Sequence, residues 1–178
     1  MADRTKRFEA VVLPHLNAAY NLARWLLRDD QNARDVVQEA YLRAFRFFDG
    51  LRDGDARPWL LGIVRNACYT WLSDGGRRPE HVEFDEERDG QEQMPGFDCA
   101  ENNPEHLLLQ KIETARIDAA IEKLPFVFRE VLILREFEEM SYEEISKIVA
   151  IPAGTVMSRL ARARGMLRTA LACPDEEK

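Results

Sequence analysis

The stretch SYEEISKIVAIPAGTVMSRLARARGMLR, residues 141–168, decides the fold. Ser141 with Glu144 three positions on is a capping box, and it opens a short helix over 141–149. AIPAG then intervenes, and a second helix runs over about 155–171. Two helices joined by so short a turn suggest a helix-turn-helix, an outline that plain αα-hairpins share. At about 100° per residue, Val156, Leu160, Ala163, Leu167 and Leu171 form one apolar stripe. The opposite face carries Ser158, Ala161, Arg162, Gly165 and Thr169, with Arg159 on one flank of the stripe and Arg164 and Arg168 on the other. Small residues around a central Arg let a helix approach base edges, where Arg bonds guanine bidentately. The flanking arginines lie where phosphates would pass. A solvated basic face on a bundle helix would carry the same residues. Between Ile145 and Pro174 there is no acidic side chain against Lys147 and four arginines, a local charge of +5.

Outward from this segment the charge changes sign. The 178 residues carry 25 Lys and Arg against 32 Asp and Glu, a formal net charge of −7, which argues against a protein that coats nucleic acid by bulk charge. Residues 1–76 are at +1 and residues 116–178 at −1, so the deficit sits in residues 77–115, at −7. Residues 77–101 (RRPEHVEFDEERDGQEQMPGFDCAE) hold only six hydrophobic residues, too few to offset the entropy of ordering them. The chain is therefore expected to comprise two small domains, 1–76 and 104–173, joined by an acidic, flexible linker over 77–103.

Apolar residues recur at helical spacing on either side of the linker and β-branched alternation is absent, so the fold class is all-α. Helices are expected at roughly 5–28, bent near Pro14, then 31–48, 56–73, 104–123 and 125–138, ahead of the two already described. Asn103 followed by Pro104 is a helix-start signal. No run of about 18 apolar residues exists to span a membrane. MADRTKRFEA has no apolar core of a signal peptide, and the scattered Cys68, Cys99 and Cys173 suit a reducing cytoplasm. No P-loop, GxGxxG or HExxH occurs, and His15, His81 and His106 complete neither a zinc site nor a nucleophile–base set. The expectation is a protein without catalysis, metal or cofactor.

The 141–168 segment resembles the helix-turn-helix with which the extracytoplasmic-function group of bacterial RNA polymerase sigma factors reads the promoter −35 element. The stretch AIEKLPFVFREVLILREFEEMSYEEI resembles the segment that leads into it, and the likeness runs over residues 116–170. The resemblance implies −35 contacts from Thr155, Ser158, Arg159, Arg162 and Arg164. Two departures stand out: Ala150 replaces a glycine that would ease the left-handed turn, and Met157 replaces a residue that is often basic.

In the 31–48 helix, Val36, Val37, Ala40, Tyr41, Ala44, Phe45 and Phe48 form a broad apolar stripe, while Leu42 stands among Asp35, Gln38, Glu39 and Arg46 on the far side. By periodicity alone this is either a docking spot or a lone surface leucine. DVVQEAYLRAFRFF resembles the segment with which sigma factors grip the β′ clamp helices of core RNA polymerase, which implies contacts from Asp35, Gln38, Glu39, Leu42 and Arg46. The loop FDGLRDGDA and the helix RPWLLGIVRNACYTWLSD resemble the part that captures the melted −10 strand. There Asn66 would meet a base edge and Arg65 a phosphate, and Trp59 would stack a base if it is not core. Arg77 and Arg78 would touch the DNA backbone.

The same resemblance implies two further partners, the polymerase β flap and an anti-sigma factor controlling a stress or envelope-type regulon, with the protein in the cytoplasm and not inserted in a membrane. Two other functions fit the residues: a regulator whose helix-turn-helix binds an operator alone, or an interaction protein that binds through the 31–48 helix. The acidic linker would thread the polymerase cleft, either as a mimic of nucleic acid or as a solvated spacer. Neutralising Asp85, Glu86, Glu87 and Asp89 together changes the ratio of abortive to full-length transcripts under the mimic reading, and an unchanged ratio sinks that reading.

Overall fold

Proline, aspartate and left-handed residues punctuate the chain into helices. The structure, a computed structural model, describes residues 2–51, 55–75 and 104–172. The linker reading over 77–103, Arg77, Arg78, Cys99 and Cys173 lie outside the described residues. The expected bent helix resolves into α1 (Ala2–Val12), a 3-10 turn (Leu13–His15) and α2 (Leu16–Leu27). Pro14 sits at the start of that turn, where its missing N–H interrupts the helical ladder. Arg28 ends α2 in the left-handed conformation, φ 57°, with its N–H donating to the Arg24 carbonyl at 2.9 Å. The Asp29 carboxylate then accepts the Asn32 N–H at 2.7 Å and opens α3 (Asp30–Phe47). A 3-10 turn (Phe48–Gly50) follows, and Asp55 accepts the Arg57 N–H at 3.0 Å to open α4 (Ala56–Asp74).

The N-terminal core fills the space between α2, α3 and α4 with Leu22, Leu26, Val36, Ala40, Leu60, Leu61 and Val64. Phe8 pins α1 to this bundle, meeting Tyr41, Phe45 and Phe48 edge-on with ring centroids 4.9, 5.1 and 5.2 Å away.

The C-terminal domain comprises α5 (Pro104–Lys123), α6 (Phe126–Leu132), α7 (Tyr142–Val149) and α8 (Ala153–Ala172). The helix expected over 125–138 does not stay α-helical to its end. Its last turn, Ile133–Phe137, widens into a π-helix, with the Glu138 N–H reaching the Ile133 carbonyl at 3.1 Å. The capping box at Ser141 forms as expected: Ser141 Oγ accepts the Glu144 N–H at 3.2 Å, and Glu144 Oε2 accepts the Ser141 N–H at 2.7 Å. The following helix starts at Ala153, earlier than the expected 155, because the Pro152 carbonyl accepts the Val156 N–H at 3.1 Å. Ile145, Ile148 and Val149 of α7 and Val156, Leu160 and Ala163 of α8 are buried together with Val131–Leu134.

The two helical domains pack on one another, α4 against α7 and α2 against α6, so their buried apolar residues form a single cluster. Among the described residues there is no strand, and no helix is long and apolar enough to cross a membrane.

Ala150 closes the α7–α8 turn at φ 59° and ψ 45°, a left-handed conformation in which a Cβ is strained. Ala150→Gly should stabilise the protein by about 0.5–1 kcal/mol, since the turn conformation suits glycine. A rise in the urea unfolding midpoint checks this, and an unchanged or lower midpoint contradicts it.

Candidate functional site

Three helix faces carry the side chains singled out above. On α3, Asp35, Gln38, Glu39, Leu42 and Arg46 are all exposed, Leu42 to 54%. The surrounding polar groups are lightly tied: Gln31 donates to Asp35 Oδ1 at 3.3 Å, and Arg43 pairs with Glu39 at 2.8 Å. The helix places the five residues together because Val36, Ala40 and Ala44 turn the other side into the core. Below them Leu16, Tyr20, Arg34, Val37, Gln38 and Tyr41 line a shallow apolar groove of about 290 Å³.

On α8 the arrangement is more crowded than the sequence pattern implied. Ala161, Arg162, Gly165, Met166, Thr169 and Ala170 line an open groove of about 610 Å³ with Phe128 of α6. The Ser158 hydroxyl donates within its own helix, to the carbonyls of Gly154 and Thr155, both at 3.1 Å. Arg164 meets the Glu136 carboxylate at 2.6 Å. Arg159 approaches Glu130 Oε1 at 3.5 Å, with its side chain only 17% exposed. The +5 stretch is thus partly neutralised by carboxylates from the preceding segment.

On α4 the three residues part company. Asn66 is exposed, whereas Trp59 is half-buried and packs against the core, as does Trp71. Arg65 turns into the seam between the domains, where its Nε donates to Glu130 Oε2 at 2.8 Å and its guanidinium lies over the Tyr69 ring at 5.3 Å. Arg65 and Arg159, expected to serve different promoter elements, meet at one carboxylate.

Glu130 is wholly buried and joins both arginines. Burial pushes its carboxyl above the ordinary range, against the downward pull of Arg65 and Arg159. Burial likewise lowers the Arg159 guanidinium, against the upward pull of Glu130. Beside this pair, Glu138 accepts from Asn21 Nδ2 at 2.8 Å and from Arg57 Nη2 at 2.7 Å. Arg129 reaches across to the Leu26 carbonyl at 3.2 Å while holding the carbonyls of Glu122 and Leu124, each at 2.9 Å. Burial, with Arg28 nearby, brings the Arg129 guanidinium down to about 10, so it remains a cation at neutral pH. Glu130, Glu138, Arg57 and Asn21 carry no motif. The readable signal was Arg129–Glu130 in the middle of the apolar run FVFREVLIL, since a helix apolar on all sides buries whatever charge it carries.

The family model for sigma-70 region 2 matches residues 11–78, and that for sigma-70 region 4 matches residues 114–167. The RNA polymerase sigma-H factor of Pseudomonas aeruginosa is 34% identical over 174 residues, covering 93% of this chain and 86% of that protein. The ECF RNA polymerase sigma-E factor of Escherichia coli is 38% identical over 131 residues, 73% of this chain and 69% of that protein. The chain belongs to the extracytoplasmic-function sigma factors. Among solved structures, the sigma factor RpoE in complex with the anti-sigma factor NepR, from Bartonella quintana, matches with a TM-score of 0.69 at 25% identity, covering 94% of this chain and 98% of that one. The fold is shared by CnrH in complex with the cytosolic domain of CnrY, with a TM-score of 0.65 at 23% identity and coverage of 94% and 89%. As a sigma factor the protein serves transcription initiation and performs no catalysis.

Cys68 lies wholly inside the sigma factor on α4, and burial pushes its thiol up to about 12. The thiolate is the reactive form, so Cys68 should resist alkylation by iodoacetamide at pH 8 in the folded protein and react once denaturant is added. Mass spectrometry of the peptides reads the outcome, and rapid native labelling of Cys68 contradicts it.

Proposed function

We infer that the sigma factor binds core RNA polymerase through Asp35, Gln38, Glu39, Leu42 and Arg46 on α3 and directs it to a subset of promoters. The observation that carries this reading is an exposed leucine framed by four exposed polar neighbours on one helix face, the arrangement of a docking anchor. The domain over 1–76 would grip the β′ clamp helices and hold the −10 strand through Asn66, Arg65 and Trp59. The domain over 104–173 would read the −35 duplex through Thr155, Ser158, Arg159, Arg162 and Arg164 and touch the β flap. The linker over 77–103 would join them inside the polymerase.

Anti-sigma control is supported by the Bartonella quintana relative, which was captured with the anti-sigma factor NepR; a stress or envelope-type regulon and a place in the cytoplasm follow from the family resemblance. Trp59 is the weakest of the DNA residues, because its packing against the core leaves only part of the ring for a base.

Run-off transcription with core polymerase and this chain restores specific initiation under this reading. A regulator acting alone would bind an operator without polymerase. Leu42→Asp should abolish co-elution with core polymerase while leaving helical content unchanged, and persistent tight binding contradicts the assignment. Arg162→Ala should cost roughly 1–3 kcal/mol of promoter affinity and relax preference at one −35 base pair, if Arg162 bonds a guanine bidentately. Equal losses across all −35 variants would instead mark a phosphate contact.

A further inference from the structure

The turn that leads into the helix-turn-helix is tied to both of its helices. Arg135 Nη1 donates to the Met140 carbonyl at 2.8 Å, and its guanidinium lies over the Tyr142 ring of α7 at 4.9 Å. The next residue, Glu136, engages α8 instead: its Oε1 accepts from Arg164 Nη2 at 2.6 Å and from Arg164 Nε at 3.2 Å. Both residues belong to the π-turn Ile133–Phe137, a kind of turn that recurs at functional sites. The Glu138 N–H reaches the Ile133 carbonyl at 3.1 Å and the Met140 N–H reaches the Leu134 carbonyl at 3.0 Å, so the turn is closed by its own backbone. Glu136 is thus a carboxylate on a fixed base.

An acid at this place needs a reason. Arg164 lies on a flank of the α8 apolar stripe, where phosphates would pass, and a carboxylate beside such a face repels them. Stability is a poor reason, because the Arg164 and Glu136 side chains are 24% and 42% exposed and a pair so open to water contributes little. The hydrogen bonds themselves suggest another. They engage the Nε–Nη2 edge of the guanidinium and leave Nη1 facing away from the carboxylate, so a second acceptor can be met without breaking the first pair.

We propose that Glu136 is a positioning residue for promoter binding, which fixes the Arg164 guanidinium at the flank of α8 ready to meet a −35 phosphate. This rests on the assignment of Arg164 to promoter DNA. An arginine that is not held must give up rotamer freedom when it binds, and holding it beforehand removes that cost. Both partners belong to the C-terminal domain, so the pair does not depend on how that domain meets the other. The carboxylate has two effects of opposite sign: its charge weakens DNA binding, whereas its grip on Arg164 strengthens it. Pre-organisation outweighs repulsion here, and the sign of one substitution tests that.

The experiment uses holoenzyme reconstituted from core polymerase and the full chain, with circular dichroism to verify that each variant keeps its helical content. Its probe is a fluorescent duplex carrying a promoter mapped from transcript start sites, and anisotropy reads affinity across a salt series. Arg164→Ala should weaken binding roughly tenfold and make the plot of log affinity against log salt shallower by about one, as the loss of a phosphate contact does. Glu136→Ala should weaken binding roughly threefold and should add nothing in the Arg164→Ala background. Glu136→Gln, whose amide oxygen can still accept from Arg164, should bind at least as tightly as wild type. If Glu136→Ala binds as tightly as wild type or more tightly while Arg164→Ala is weakened, the positioning role is overturned and Arg164 stays on the DNA. A loss that Glu136→Gln shares, or one that persists undiminished without Arg164, also overturns it. An Arg164→Ala variant with wild-type affinity and salt dependence overturns the assignment of Arg164 and, with it, the proposal.

Discussion

A single buried carboxylate sets the geometry of the whole molecule. Glu130 has no exposed surface and meets one arginine from α4 and one from α8. A buried ion pair of this kind contributes little net stability compared with apolar residues of the same volume, because desolvation cancels most of the attraction. Its consequence is positional. Once Glu130 is buried it must be met, and the side chains that meet it fix the register of α4 against the helix-turn-helix. Glu138 repeats the arrangement at the edge of the same seam, where Arg57 remains partly open to water. Apolar contacts hold the domains near one another, and the two carboxylates decide how they face.

The charge distribution has the same logic on a larger scale. Along the sequence, residues 145–174 read as a basic stretch and 77–115 as an acidic one. In space the basic stretch is partly matched by Glu130 and Glu136, which belong to neither run and lie just before the helix-turn-helix. A helix that carries four arginines therefore presents less positive potential than its composition implies.

Much of the fold was legible because its determinants are local. The capping box at Ser141, the break at Pro14, the start at Pro104 and the stripes of α3 and α8 each depend on residues a few positions apart, and each appears where the pattern put it. The π-turn over Ile133–Phe137 was not legible, since widening a helix by one residue leaves the apolar spacing almost unchanged. The exposed face of α3 could be read from periodicity alone. The seam could not: Glu130 finds its partners 65 residues upstream and 29 downstream, and Glu138 finds Asn21 117 residues away. Helix-by-helix reading treats every polar face as facing solvent, so Arg65 and Arg159 were assigned by what they could bind rather than by what already binds them.

That difference bears on which side chains are open to a partner. The α3 face is open to solvent, whereas Arg65 is held by a carboxylate of the other domain and Arg159 by the same carboxylate within its own domain. Because Glu130 lies in the same domain as Arg159, parting α4 from α7 would release Arg65 alone, so the two arginines are not governed by one contact.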